Sequence, residues 1–311
     1  MTQPATRSMT QPLRSTADLM AAGTGLDAVT LHVGDLAAMT AYYRDVVALQ
    51  VLDVPPPAVG TLAVHAAATV TLGRGSTPLV VLRHTPDLPA PRRGQAGLFH
   101  TAILFDDQAG LAATVASIAT RAPGTYTGSA DHLVSKAFYF TDPEGNGIEL
   151  YWDRDRDEWA WSKGRVAMDS LRLDPNAFLD EHLTQAALEQ PNAADAVVGH
   201  VHLQVGDVPS ARAFYVDALG FEVTGEWHGA LFVAAGGYHH HLAMNTWNSA
   251  GAGPRASSLG LGEVAIRVPA ADDLGALAGR LAHHGVAVAD DGATLSFEDP
   301  WRNLIRVTAE G

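Results

Sequence analysis

The chain has 311 residues, 47% of them hydrophobic, which is enough for about two domains with closed cores. Its formal charge of −14 argues against nucleic acid as a partner, because phosphate recognition needs a basic face and Lys136 and Lys163 are the only lysines. With no cysteine, disulfides, thiolate metal sites and cysteine nucleophiles are excluded, so any metal chemistry falls to His, Asp and Glu.

Residues 1–24 read as a flexible leader in which Met1-Thr2-Gln3-Pro4 recurs as Met9-Thr10-Gln11-Pro12. The leader lacks a basic-then-apolar signal pattern and no apolar run approaches the ~18 residues of a membrane span. The expectation is a cytoplasmic protein that handles small molecules and engages no membrane. Four modules follow, modules 1 and 2 over 25–153 and modules 3 and 4 over 197–311, separated by a linker segment over 154–196.

In module 1, Val29, Leu31 and Val33 alternate with Thr30 and His32, the period of a half-buried strand. Asp35 stands where a helix N-cap belongs, and Leu36, Met39 and Tyr43 recur at helical spacing. Pro55-Pro56-Pro57 ends regular structure, and strands around 61–72 and 78–83 complete a βαβββ order. Module 2 starts near Leu98, with a helix near 109–120 and strands at 136–141 and 147–152 around the turn Asp142-Pro143-Glu144-Gly145-Asn146-Gly147. The linker is charged and contains Trp and Leu, with Asp174-Pro175 as a helix start. Module 3 covers about 197–247, its helix running from Pro209 to Leu219 and stopped by Gly220. Module 4 runs from about 259 to 309, with a helix near 272–284.

The modules repeat one another. Residues 27–35 match 199–207, Tyr43 matches Tyr215, and the Asp142-Pro143 turn recurs as Asp299-Pro300. This distance is far longer than a solenoid period and indicates duplication of a domain-sized unit. His100 and His200 sit at strand starts, and Glu149 lies on a strand face with Gly147 and Tyr151. A lone histidine at such a place is more often a packed residue; here two recur at one repeat position. Two imidazoles and one carboxylate suit Fe(II) in oxygen-activating enzymes, because three coordination positions stay open. The net charge of about +1 at such a centre favours a catecholate oxygen. In Tyr238-His239-His240-His241, strand alternation sends His240 to one face and its two neighbours to the other. His240 is thus a candidate acid/base group, Tyr139 a candidate contact to a substrate oxygen, and His132 a candidate lining residue.

The residues just named, with Gly199-His200-Val201-His202 and the stretch from Gly236 through Trp247, resemble the vicinal oxygen chelate superfamily. Within it they are most similar to the two-domain type I extradiol ring-cleaving dioxygenases of the bacterial catechol-2,3-dioxygenase group. The resemblance implies an α+β fold of four βαβββ modules forming two half-open barrels. It implies cleavage of a catechol-type diol with O₂ at Fe(II), with Mn(II) as the alternative metal. It also implies His100, His200 and Glu149 as metal ligands, His240 as the acid/base residue and Tyr139 as a substrate contact. No residues are assigned to an organic cofactor. The rival readings on the same fold are a glyoxalase-like metal-dependent isomerase and a non-catalytic small-molecule binding or resistance protein.

The departures predict the module pairing. Ala28, Glu263 and Arg306 stand where the other copies have His200, His100 and Glu149. A complete site therefore requires module 2 to meet module 3 and module 1 to meet module 4, within one chain or by exchange across a homodimer. Glu263 and Arg306 are then expected to form an ion pair in the half that has lost its ligands.

Overall fold

Each repeat unit begins with a strand that runs directly into a helix. In module 1 these are β1 (Val29–Val33) and α1 (Leu36–Ala41), followed by β2 (Gln50–Leu52), β3 (Thr69–Arg74) and β4 (Thr77–His84) in a computed structural model that describes residues 18–54 and 67–310. Module 2 consists of β5 (Gly97–Phe105), α2 (Gln108–Arg121), β6 (Tyr126–Asp131), β7 (Ser135–Thr141) and β8 (Gly147–Asp153). Two helices, α3 (Pro175–His182) and α4 (Gln185–Glu189), lie between it and module 3, which consists of β9 (Ala196–Gln204), α5 (Val208–Ala211), β10 (Glu222–Trp227), β11 (Ala230–Ala234) and β12 (Leu242–Asn245). Module 4 closes the chain with β13 (Gly260–Val268), α6 (Ala271–His283), β14 (Ala289–Asp290), β15 (Thr294–Glu298) and β16 (Leu304–Ala309).

The strand-to-helix step is fixed by an aspartate side chain that accepts a backbone N–H left free in the first turn. Asp35 accepts from Ala38 at 2.9 Å, Asp107 from Gly110 at 2.6 Å and Asp207 from Ser210 at 2.7 Å. In module 4 Ala270 occupies that place, and Asp273 reaches back to the Ala270 N–H at 3.1 Å. The helices α1 and α5 are short because each widens into an i→i+5 turn, over Tyr42–Val46 and Arg212–Ala218.

One expectation needs adjustment, and one strand was not foreseen. Pro55-Pro56-Pro57 and positions 61–66 of the expected strand 61–72 lie outside the described residues, and that strand is seen from Thr69. Of the leader over 1–24, residues 1–17 also lie outside them, but Met20 is buried and its N–H donates to the Gly220 carbonyl at 2.8 Å, so the end of that stretch is packed. The strand β6, Tyr-Thr-Gly-Ser-Ala-Asp, has no apolar alternation; it is held by pairing with β7 on one side and Leu171–Arg172 on the other.

In each module the first strand runs parallel to the last, β1 to β4, β5 to β8, β9 to β12 and β13 to β16, which leaves the opposite edge of the first strand unpaired within its module. These edges meet antiparallel, β5 with β9 and β1 with β13, within the one chain. The result is two curled nine-stranded sheets. One orders as Leu171–Arg172, β6, β7, β8, β5, β9, β12, β11, β10, and the other as β14, β15, β16, β13, β1, β4, β3, β2, with Gly25–Leu26 also against β13. Module 2 thus pairs with module 3 and module 1 with module 4, giving the α+β fold of four βαβββ modules in two half-open barrels.

Modules adjacent in sequence are joined by the repeated Tyr and Asp. The Tyr43 hydroxyl donates to Asp142 at 3.1 Å and that of Tyr215 to Asp299 at 2.8 Å. Each aspartate also accepts backbone N–H groups of its own turn, Glu144 and Asn146 at 2.9 Å in one case and Trp301 and Asn303 at 2.8 Å in the other. Burial pushes both phenols well above their usual range, so they remain donors. A single apolar cluster that includes Leu31, Ile103, Val201 and Val264 connects both sheets. Among the described residues no helix is long and apolar enough to cross a membrane.

Candidate metal centre

The pairing of β5 with β9 places His200 opposite Ala102 and His202 opposite His100, with a register shift between Val198 and His200. On the other side of β5, Glu149 of β8 is in register with Ala102. Three polar ends meet as a result. His100 Nε2 lies 2.9 Å from Glu149 Oε2 and 3.3 Å from His200 Nε2, and His200 Nε2 lies 3.1 Å from the same carboxylate oxygen. All three are buried, at 6%, 3% and 2% exposure. Close approach here depends on Gly199, where a Cβ would fall 1.8 Å from the Tyr151 hydroxyl.

The electrostatics suit a cation. Burial pushes the Glu149 carboxyl up, but His200 and His100 outweigh it and hold the group well below its ordinary value. Burial lowers His200 to about 4 against the pull of Glu149, so at neutral pH its ring is neutral and has a lone pair to offer. Among the described residues no Lys or Arg lines the adjoining cavity, so this buried carboxylate has no described basic side chain beside it there. The donor set fits a divalent ion that takes imidazole and carboxylate.

A cavity of about 420 Å³ opens onto this face. Phe99, Tyr139, Met168, Trp227, Phe232 and Trp247 supply most of its apolar wall, and His132, His202 and His240 also line it. The His240 ring lies 4.1 Å from that of His200, and burial followed by the neighbouring imidazoles pushes its pKa well down. The expected strand alternation does not apply to this segment: residues 235–241 form a turn outside any strand, with Gly236 and Gly237 at φ +61° and +68°. His240 nonetheless faces the cavity, while His239 packs on Trp159 and His241 Nδ1 accepts the Ala235 N–H at 3.2 Å.

Tyr139 and His132 are joined. The His132 Nδ1 is 2.7 Å from the Asp169 carbonyl, which can only accept, so the ring proton is on Nδ1 and Nε2 accepts the Tyr139 hydroxyl at 2.6 Å. The Tyr139 oxygen is left to receive a hydrogen bond from a bound molecule. Sequence reasoning put His202 on the face of His200 without a role; its Nε2 accepts from Asn245 at 2.9 Å, and its ring packs against Phe99 and Trp247. It also missed Met168 and Ser170, which reach the cavity from the segment between modules 2 and 3. It named Tyr238 and His239 with the histidine segment but did not join them to Asp153 and Tyr151, which meet them behind His240.

In the other sheet, where Ala28, Glu263 and Arg306 replace the three donors, Arg306 Nε donates to Glu263 Oε1 at 2.8 Å. The ion pair expected from sequence is present.

Comparison with known proteins agrees with the architecture. The model of the Glyoxalase/Bleomycin resistance protein/Dioxygenase superfamily matches residues 25–150 and 197–307. The chain is 36% identical to a catechol-2,3-dioxygenase of Bacillus subtilis over 231 residues, which cover 73% of this chain and 80% of that protein. The crystal structure of glyoxalase I from Zea mays superposes with a TM-score of 0.55 at 16% identity, covering 92% of each chain, a likeness of fold. The chain therefore belongs to the Glyoxalase/Bleomycin resistance protein/Dioxygenase superfamily.

Proposed function

We propose that this protein is an extradiol dioxygenase that opens the ring of a catechol bearing an uncharged, apolar substituent, using O₂ and Fe(II), with Mn(II) as the alternative metal. The observation that carries the reading is the convergence of His100, His200 and Glu149 on the wall of an apolar cavity that also contains His240. Similarity to the Bacillus subtilis protein named catechol-2,3-dioxygenase supports the same class.

His100, His200 and Glu149 hold the metal. Bound Fe(II) supplies Lewis acidity, redox capacity and open positions for the diol oxygens and O₂. His240 takes a diol proton at the cavity wall and returns it later. Tyr139, its own proton committed to His132, accepts a hydrogen bond from the substrate hydroxyl. Phe99, Phe232, Trp227 and Trp247 hold the ring and exclude water.

Replacing His240 by Ala is expected to leave bound iron unchanged and to slow turnover by about 10²-fold. A wild-type rate at full iron occupancy would remove His240 from the mechanism. Substrate class is tested with an oxygen electrode on the anaerobically iron-loaded chain, comparing 4-methylcatechol with 3,4-dihydroxybenzoate. A substrate carboxylate in this cavity meets no Lys or Arg among the described residues, so kcat/KM for the benzoate should be lower by about tenfold or more. Absence of O₂ uptake with every catechol would overturn the dioxygenase reading, and a preference for the benzoate would overturn the apolar specificity.

A further inference from the structure

We propose that Asp153 and His239 act as a positioning pair that fixes the ring proton of His240 on Nδ1, so that His240 presents a bare Nε2 to the cavity. The kinetic consequence rests on the dioxygenase reading; the proton placement does not.

The placement follows from a chain of contacts running away from the cavity. Asp153, at the end of β8, has Oδ1 2.9 Å from His239 Nε2, and its Oδ2 accepts the Tyr238 hydroxyl at 2.8 Å. A carboxylate can only accept, so the proton of a neutral His239 sits on Nε2 and its Nδ1 carries a lone pair. His239 Nδ1 lies 2.7 Å from His240 Nδ1. That contact needs one proton, and His240 is the ring left to supply it. With Nδ1 committed, Nε2 is the nitrogen that His240 offers to the cavity it lines.

The supporting groups are locked. Tyr238 donates to Asp153, so Tyr151 donates to Tyr238 across 2.8 Å. The His239 ring is held between Tyr238 and Trp159, with centroids at 4.1 and 5.1 Å. A carboxylate behind a working imidazole sets its tautomer and orientation, and here the effect passes through one intervening ring. Asp153 also borders a separate cleft with Trp152, Arg156 and Val197, on the side away from the substrate cavity. It touches neither the substrate space nor the metal ligands, which makes it a positioning residue.

The direct test is a long-range ¹H–¹⁵N correlation spectrum of the ¹⁵N-labelled full chain loaded with diamagnetic zinc. His240 should show a protonated Nδ1 and an unprotonated Nε2; a proton on Nε2 overturns the proposal. In Asp153→Asn the neutral amide offers one oxygen where the carboxylate offered two, so it no longer selects the Nε2 tautomer of His239 and the proton on His240 Nδ1 is no longer fixed. The iron-loaded variant should lose about tenfold or more in kcat with KM and bound metal unchanged, and Asp153→Glu, which keeps an acceptor, should recover part of it. An unchanged kcat in Asp153→Asn also overturns the proposal. If Asp153→Asn fails to fold, the wild-type spectrum still decides. If wild-type enzyme cleaves no catechol, the dioxygenase reading falls while the spectrum judges the tautomer independently.

Discussion

Glu149→Gln should abolish metal binding and lower the stability of the metal-free protein at neutral pH. The carboxylate is buried and among the described residues no Lys or Arg lines the cavity beside it, so in the absence of a cation its charge is held by contacts from the His100 and His200 imidazoles. Those imidazoles hold the Glu149 carboxyl well below its ordinary value, so its ionised form contributes stability above the usual carboxylate range that a neutral amide loses. The same substitution removes the anionic donor of the site, and metal content should drop to about a tenth of one ion per chain or less. The two effects separate in a thermal melt with and without metal. An ion at about 100 times its Kd stabilises the wild type by about 2.7 kcal/mol, and it should leave the variant unmoved. A variant that still holds one iron per chain would remove Glu149 from the ligand set.

The sequence was informative where one side chain's role was repeated. The alternation Val29, Leu31, Val33 is legible because one face of β1 enters the apolar core. The recurrence of Tyr43 as Tyr215 and of the Asp-Pro turns marked contacts that the structure shows to be hydrogen bonds between consecutive modules. The pairing of modules was legible for a chemical reason: Ala28, Glu263 and Arg306 cannot complete a donor set, so the intact residues had to come from modules 2 and 3. Features set by tertiary docking alone were not legible. Met168 and Ser170 reach the cavity because the segment after β8 folds back over it, and nothing in their local sequence encodes that path. Asp153 and His239 are far apart in the chain and become partners only when β8 and the turn after β11 meet. Strand β6 escaped notice because its polar sequence is held by its neighbours instead of by a buried face.

Removing one partner of the Glu263–Arg306 pair should be the most destabilising single change outside the apolar core. The two side chains are 8% and 12% exposed and meet at 2.8 Å on the sheet that lacks the metal donors. Arg306→Met would leave the Glu263 carboxylate buried without its guanidinium, at a cost of about 3–5 kcal/mol. Arg306→Met combined with Glu263→Leu removes both charges, and stability should return to about the wild-type level or above it, because desolvating two ions offsets most of what their attraction contributes. Urea unfolding of the two single variants and the double variant measures the coupling directly. Additive effects, with the double variant as unstable as the sum of the singles, would show that the pair is not an interacting unit. Bound metal and turnover should be unchanged in the double variant, since its residues belong to β13 and β16 while the donors stand on β5, β8 and β9. That combination of restored stability and intact metal content would show that the ion pair in this half of the molecule works independently of the cation-ready cluster in the other.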